Sequence, residues 1–300
     1  MKPRALAIVL FPSLLAAGAC HRAADGPGAP ANAGPPTGAA AARVLLAAGA
    51  DLAGTANEVA QAWAFDELDR IAARVRAERQ RDPAAAPAAA INRTLFDVLA
   101  FSREVDDQDI AYVLLPSVLR LHRGSCVGLG ALYLALAALL DVPATGVVVP
   151  GHFFVRVDDQ QAPGANGGWR NVELLRRGEQ MKDDWYRARW PVAGAGSPAS
   201  ARSLSLDEVR GVIEYDVGQQ WMRLDRLLEA RRAYEAAAAH FPGFAEAQAS
   251  LGRTRHLLGA LDGAASAYAA ARLAYPDLPG LSDNIKLIES ERHPTGADNR

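Results

Sequence analysis

Five residues in the last third of the chain recur at a fixed interval. Gly218, Ala230, Tyr234, Ala237 and Pro242 return as Gly252, Ala264, Tyr268, Ala271 and Pro276, each pair 34 positions apart (218 to 252, 230 to 264, and so on). A repeat of that length holds two helices and their turns, and such units bury a continuous core only by stacking on one another. The residue types fit. Glycine and alanine permit close helix crossing, the tyrosine fills the groove, and the proline ends the second helix. Residues 205–292 are therefore expected to form an all-α repeat module, with Leu281–Glu291 as its solvent-facing cap and 293–300 as a tail.

Composition matters mainly for what it excludes. Half of the 300 residues are hydrophobic, 22% are charged and only 7% are aromatic. Much of the apolar content is alanine, which suits close-packed helices in a globular chain. The formal charge is −2, with acidic and basic residues interleaved. That balance leaves no electrostatic footprint for nucleic acid.

The first twenty residues read as an export signal. Lys2 and Arg4 give the positive start, Ala5–Leu15 the apolar stretch, and Ala17-Gly18-Ala19 the small residues before Cys20. The apolar stretch is short for a membrane span. Small residues directly before a cysteine resemble the cleavage box of bacterial lipoproteins, although Ala17 stands where leucine is usual. That resemblance implies lipidation of Cys20 and an anchor in the cell envelope, facing the periplasm from the outer membrane. Plain secretion and an uncleaved anchor are the alternatives.

Only two cysteines are present, Cys20 and Cys126. With Cys20 lipidated, Cys126 would have no disulfide partner in an oxidising compartment. A thiol there is either a buried small hydrophobe or is used. Gly124 and Ser125 just before it favour a helix start over a mid-helix burial.

Residues 21–42 are Ala, Gly and Pro with little else, and read as a flexible tether. From 43 to 200 the pattern predicts a helix-first α+β domain. Asp66–Arg79 is an amphipathic helix with Leu68, Ile71, Ala72 and Val75 on one stripe. Ile91–Phe101 and Ile110–Leu121 are expected as further helices, the latter broken near Pro116. Val127–Leu140 is apolar on nearly all sides and belongs at the domain centre. Gly146–Val149, His152–Val157 and Trp169–Leu174 then read as strands of a small antiparallel sheet, with a polar, Gly-rich turn over Asp158–Gly168.

Cys126 opens a helix, His152 starts a strand after Pro150-Gly151, and Asn171-Val172-Glu173 lies on the next strand. A helix N-terminus favours thiolate over thiol, an imidazole can take the proton, and a third polar group can orient that ring. By strand alternation Asn171 and Glu173 share a face, so either is placed to meet His152. His122 precedes the turn before Cys126 and reads mainly as a helix-end charge. Trp185, Tyr186 and Trp190 read as a lid packed on the sheet or as one wall of a substrate cleft. No CxxC or HxxxH spacing suggests a metal, and no phosphate loop or serine elbow suggests a nucleotide or serine-hydrolase site. No cofactor is expected.

From about Asp66 to Pro191 the chain resembles the SirB-type branch of the transglutaminase-like superfamily, which shares the papain-like order of site residues. The residues carrying this are Ile91-Asn92-Arg93-Thr94-Leu95-Phe96, Arg123-Gly124, Ala131-Leu132-Tyr133-Leu134, Val149–Arg156, Asn171-Val172-Glu173 and Arg177-Gly178. The 34-residue repeats resemble tetratricopeptide repeats. The first resemblance implies acyl transfer, with Cys126 as nucleophile, His152 as proton shuttle and Glu173 as the group holding the imidazole. The superfamily usually places aspartate where Glu173 stands, so Asn171 is the alternative third member. The acceptor would be water or an amine, and the repeats would bind a peptide or protein. The rival expectation is an inactive scaffold in which the repeats alone carry the function.

Overall fold

The computed structural model describes residues 37–83, 85–105, 109–158, 168–191 and 201–293. The export segment, Cys20, the tether through residue 36 and the end of the tail lie outside the described residues.

Helix α1 spans Gly38–Ala47, so the last residues assigned to the tether are helical instead. Alanine is the best helix former, and Ala42, Leu45 and Leu46 give the segment a buried stripe. Helix α2 runs Glu58–Arg81, longer than the amphipathic pattern alone indicated, because Asn57 caps it through Val59 and Ala60 N–H. Its expected stripe of Leu68, Ile71, Ala72 and Val75 is buried. Helix α3 (Pro87–Asn92) begins at a proline, the residue suited to a first turn, and continues as a π-helical stretch over Arg93–Val98. The expected Ile91–Phe101 helix is thus shifted towards the N-terminus. The Ile110–Leu121 segment is broken just before Pro116, as expected: a 3-10 turn at Ile110–Tyr112 is followed by a separate helix, α4 (Leu115–Leu121), with Pro116 in its first turn.

Two short strands, β1 (Ser102–Arg103) and β2 (Arg123–Gly124), pair in parallel and lead into α5 (Cys126–Leu139). Helix α5 is buried along almost its whole length. Strands β3 (Ala144–Val149), β4 (His152–Asp158), β5 (Trp169–Glu173) and β6 (Glu179–Met181) form one antiparallel sheet in that order. Alternation along β4 sorts its residues between two cores. Phe153, Val155 and Val157 join the main core around α5, while Phe154 packs with Val147, Val149 and Tyr186 on the other face. Tyr186 comes from α6 (Asp183–Arg189), which covers that second face.

The rest of the described chain is helical: α7 (Leu206–Arg223), α8 (Leu227–His240), α9 (Ala245–Leu257), α10 (Leu261–Ala274) and α11 (Leu281–Arg292). They form two hairpins and a last helix at the 34-residue interval. A Cβ on Gly218 would lie 2.6 Å from the Tyr234 ring, and one on Gly252 2.6 Å from the Tyr268 ring. The recurring glycine and tyrosine therefore meet face to face within each hairpin.

The first hairpin is not separate from the sheet domain. Val209, Val212, Ile213 and Val217 of α7 lie in the same core as α1, α2 and α5. Backbone N–H groups of Ala201 and Leu204 donate to Val148 and Gly146 carbonyls at 2.8 and 2.9 Å, covering the open edge of β3. Trp221 Nε1 donates to the Leu52 carbonyl at 3.0 Å.

Candidate active site

Cys126 is the first residue of α5 and is partly exposed. Ser125 is the N-cap, its hydroxyl accepting the Gly128 N–H at 3.1 Å. The Ser125 N–H donates to the Tyr112 carbonyl at 2.8 Å, and any side chain at Gly128 would collide with that same carbonyl. The approach to the thiol is fixed from the other side by the β1–β2 pair. Its anchor is His122, which takes a left-handed backbone conformation, hydrogen-bonds the Leu99 carbonyl through Nδ1 at 2.8 Å, and stacks on Phe101. His122 thus holds the turn before Cys126.

His152 begins β4 directly after the Pro150-Gly151 turn and pairs with Val149. Its Nε2 lies 2.8 Å from Glu173 Oε2, and both side chains are 2% exposed or less. Glu173 Oε1 accepts the Leu175 N–H at 3.1 Å, so the carboxylate also caps the 3-10 turn that follows β5. That turn is itself fastened. Asn92 Nδ2 donates to the Gly178 carbonyl at 2.9 Å and Arg177 donates to the Phe96 carbonyl at 2.7 Å. Gly178 has φ +79° and lies against the Asn92 side chain, a position that admits no Cβ. Asn92, Arg177 and Gly178 therefore position the carboxylate.

Asn171 is engaged elsewhere. Its Oδ1 accepts from Arg156 Nε at 2.9 Å, and its Nδ2 donates to the Met181 carbonyl and to Asp183 Oδ1. The register explains this, since Asn171 stands opposite Arg156, whereas Glu173 lies past the last paired residues, Val155 and Val172. Glu173, not Asn171, meets the imidazole.

The aromatic cluster packs on the site itself. The Trp190 ring stacks on His152 at 4.0 Å between centroids and 5° between planes. Tyr186 stacks on Phe154 and lies beside the Glu173 carboxylate. Burial, and then the negative charge of Glu173, push the Tyr186 hydroxyl well above the ordinary phenol range. Trp190 and Tyr186 leave the ring and its carboxylate little contact with water.

Cys126 and His152 line one cleft of about 170 Å³. With Nε2 turned to Glu173, Nδ1 is the ring nitrogen remaining for the thiol. The opposite wall comes from the helical region: Tyr215, Asp216, Gln219 and Arg223 of α7 and Glu246 of α9. The sequence pattern did not separate these from ordinary helix-face residues. Among the described residues no cluster of three or more His, Cys, Asp or Glu side chains is arranged to hold a metal, and no helix is long and apolar enough to cross a membrane.

Residues 62–190 match the family model described as the transglutaminase-like superfamily. The chain thus carries a transglutaminase-like domain, and Cys126, His152 and Glu173 all fall within the matched span. No curated protein matches the chain.

Proposed function

We propose that this protein is a cysteine hydrolase or acyl transferase acting on a peptide or protein amide. The observation that carries the proposal is the shared cleft: a helix-initial thiol opens into the same space as an imidazole whose far nitrogen is held by a buried carboxylate. In the reaction, Cys126 Sγ forms a bond to the carbonyl carbon while its proton passes to His152 Nδ1. First-turn N–H groups of α5, which have no acceptor within the helix, stabilise the oxyanion. Collapse breaks the C–N bond, and the departing amine takes the proton from the imidazole. The resulting thioester is then cleaved by water, giving an acid, or by an amine, giving a new amide. Glu173 orients the ring and stabilises its cationic form.

In this proposal the domain belongs to the SirB-type branch, the helical hairpins are tetratricopeptide repeats that bind a peptide or protein, and lipidated Cys20 anchors the chain in the envelope. The export pattern, the residues shared with that branch and the 34-residue register support these assignments.

Alkylation of Cys126 by iodoacetamide, followed across pH by peptide mapping, tests the nucleophile. Wild-type labelling should proceed well below the unperturbed thiol pKa of about 8.5, and His152→Ala should slow labelling at pH 7 about tenfold. An identical profile in the two proteins rejects the thiol–imidazole pair.

A further inference from the structure

The cleft beside Cys126 is completed by the helical region, and its charged groups come from there. From Val212 through Asp216 and Gln219 to Arg223, the lining positions of α7 follow intervals of four, three and four residues, one continuous stripe of the helix. Glu246, in the first turn of α9, closes the same wall. We propose that this wall sets substrate specificity: Asp216 and Glu246 receive an ammonium or guanidinium side chain beside the carbonyl that Cys126 attacks. The inference rests on Cys126 and His152 being the nucleophile and its base.

Three observations support a cationic occupant. First, Glu246 is half-buried in the cleft wall and makes no ion pair with any described residue, and burial pushes its carboxyl above the usual carboxylate range. An arriving cation would supply the missing counter-charge. Second, Asp216 and Glu246 line the same cleft, and the negative charge of each raises the Tyr215 hydroxyl beside them. Arg223 opposes them from an exposed position at the end of the stripe. Third, much of the remaining lining is apolar, with Val127, Val148, Phe153 and Phe244 available to an aliphatic stem. At about 170 Å³ the space compares with the ~150 Å³ cavity that takes up one benzene. It suits a side chain, not a folded element.

The test compares three methanethiosulfonates that differ in charge: ethylammonium, neutral methyl and ethylsulfonate. Each is reacted with the full chain at pH 7, and modification of Cys126 is followed by peptide mapping. Glu246→Gln and Asp216→Asn should each lower the ammonium-to-sulfonate rate ratio about three- to tenfold, with the neutral rate unchanged. Arg223→Gln should raise the ratio, and Asp283→Asn, on α11 away from the cleft, should leave it alone. A ratio unmoved by both carboxylate variants overturns the specificity wall while leaving the nucleophile intact. A wild-type Cys126 that resists even the neutral reagent overturns both. Should Glu246→Gln fail to fold by circular dichroism, the opposed signs of Asp216→Asn and Arg223→Gln still decide the matter.

Discussion

Glu173 is held at both oxygens, by the Leu175 N–H and by His152 Nε2. The imidazole lies diagonally across the strands from it, where neighbouring residues stand about 7–8 Å apart and only long side chains meet. The extra methylene of glutamate relative to aspartate suits that reach. Glu173→Gln keeps the shape but removes the charge that favours an imidazolium. It should slow alkylation of Cys126 at pH 7 by about tenfold with little loss of folded structure. Asn171→Ala breaks the Arg156–Asp183 network instead, and should leave the alkylation rate within about twofold of wild type. Reversed outcomes for these two variants would reassign the third member to Asn171. The strand alternation correctly placed Asn171 and Glu173 on one face. The choice between them was not legible, because it depends on a ladder that stops at Val155 and Val172.

At the scale of elements, the helical hairpins are held by glycine–aromatic contacts. Gly218 in α7 receives the Tyr234 ring of α8, whose hydroxyl also hydrogen-bonds Gln219, and Gly252 receives Tyr268. Overpacking this seam with Gly218→Leu should destabilise the full chain by about 1–3 kcal/mol, read as a lower urea midpoint. An unchanged midpoint would mean that the 34-residue register has no packing role. Here the sequence was informative, because the same small and aromatic residues recur in both hairpins. It was less so for α3, where Pro87 starts the helix earlier than the apolar pattern suggested, and for β6 and α6, which are too short to show a period.

Over the whole molecule, the first hairpin and the sheet domain share one core. A chain ending at residue 203 would lose Val209, Val212, Ile213 and Val217 and leave their partners in α1 and α5 open to water. Burial of each such side chain is worth about 1.5–3 kcal/mol, comparable in sum to the ~5–15 kcal/mol stability of a whole domain. That truncated chain should show no cooperative thermal transition by circular dichroism. A sharp transition near that of the full chain would show that the sheet domain folds alone. The buried tyrosines set the alkaline limit. Desolvation raises Tyr186 and Tyr234 well above their ordinary range and pushes Tyr268 up to about 12. A phenol whose folded pKa exceeds its unfolded value contributes stability that is complete below about pH 10 and is lost as pH rises past it. Stability should therefore fall above pH 10 more steeply than the ~1.4 kcal/mol per pH unit of one proton. Phenolate absorbance at 295 nm should rise for these residues only together with unfolding, and an early, fully reversible rise in the native state would contradict their burial.

The sequence by itself determined the parts that depend on near neighbours: the 34-residue register, the apolar α5, the strand alternation and the helix start at Cys126. Each follows from local periodicity or from a capping residue, which a linear string records. Only the tertiary structure decided which side chain holds His152, that Trp190 covers it, and that α7 and α9 supply the far wall of the cleft. Those contacts join residues dozens of positions apart, through a strand register and a helix packing angle fixed by the shared core. A string of residues carries the chemistry of each group but not the distance between two of them.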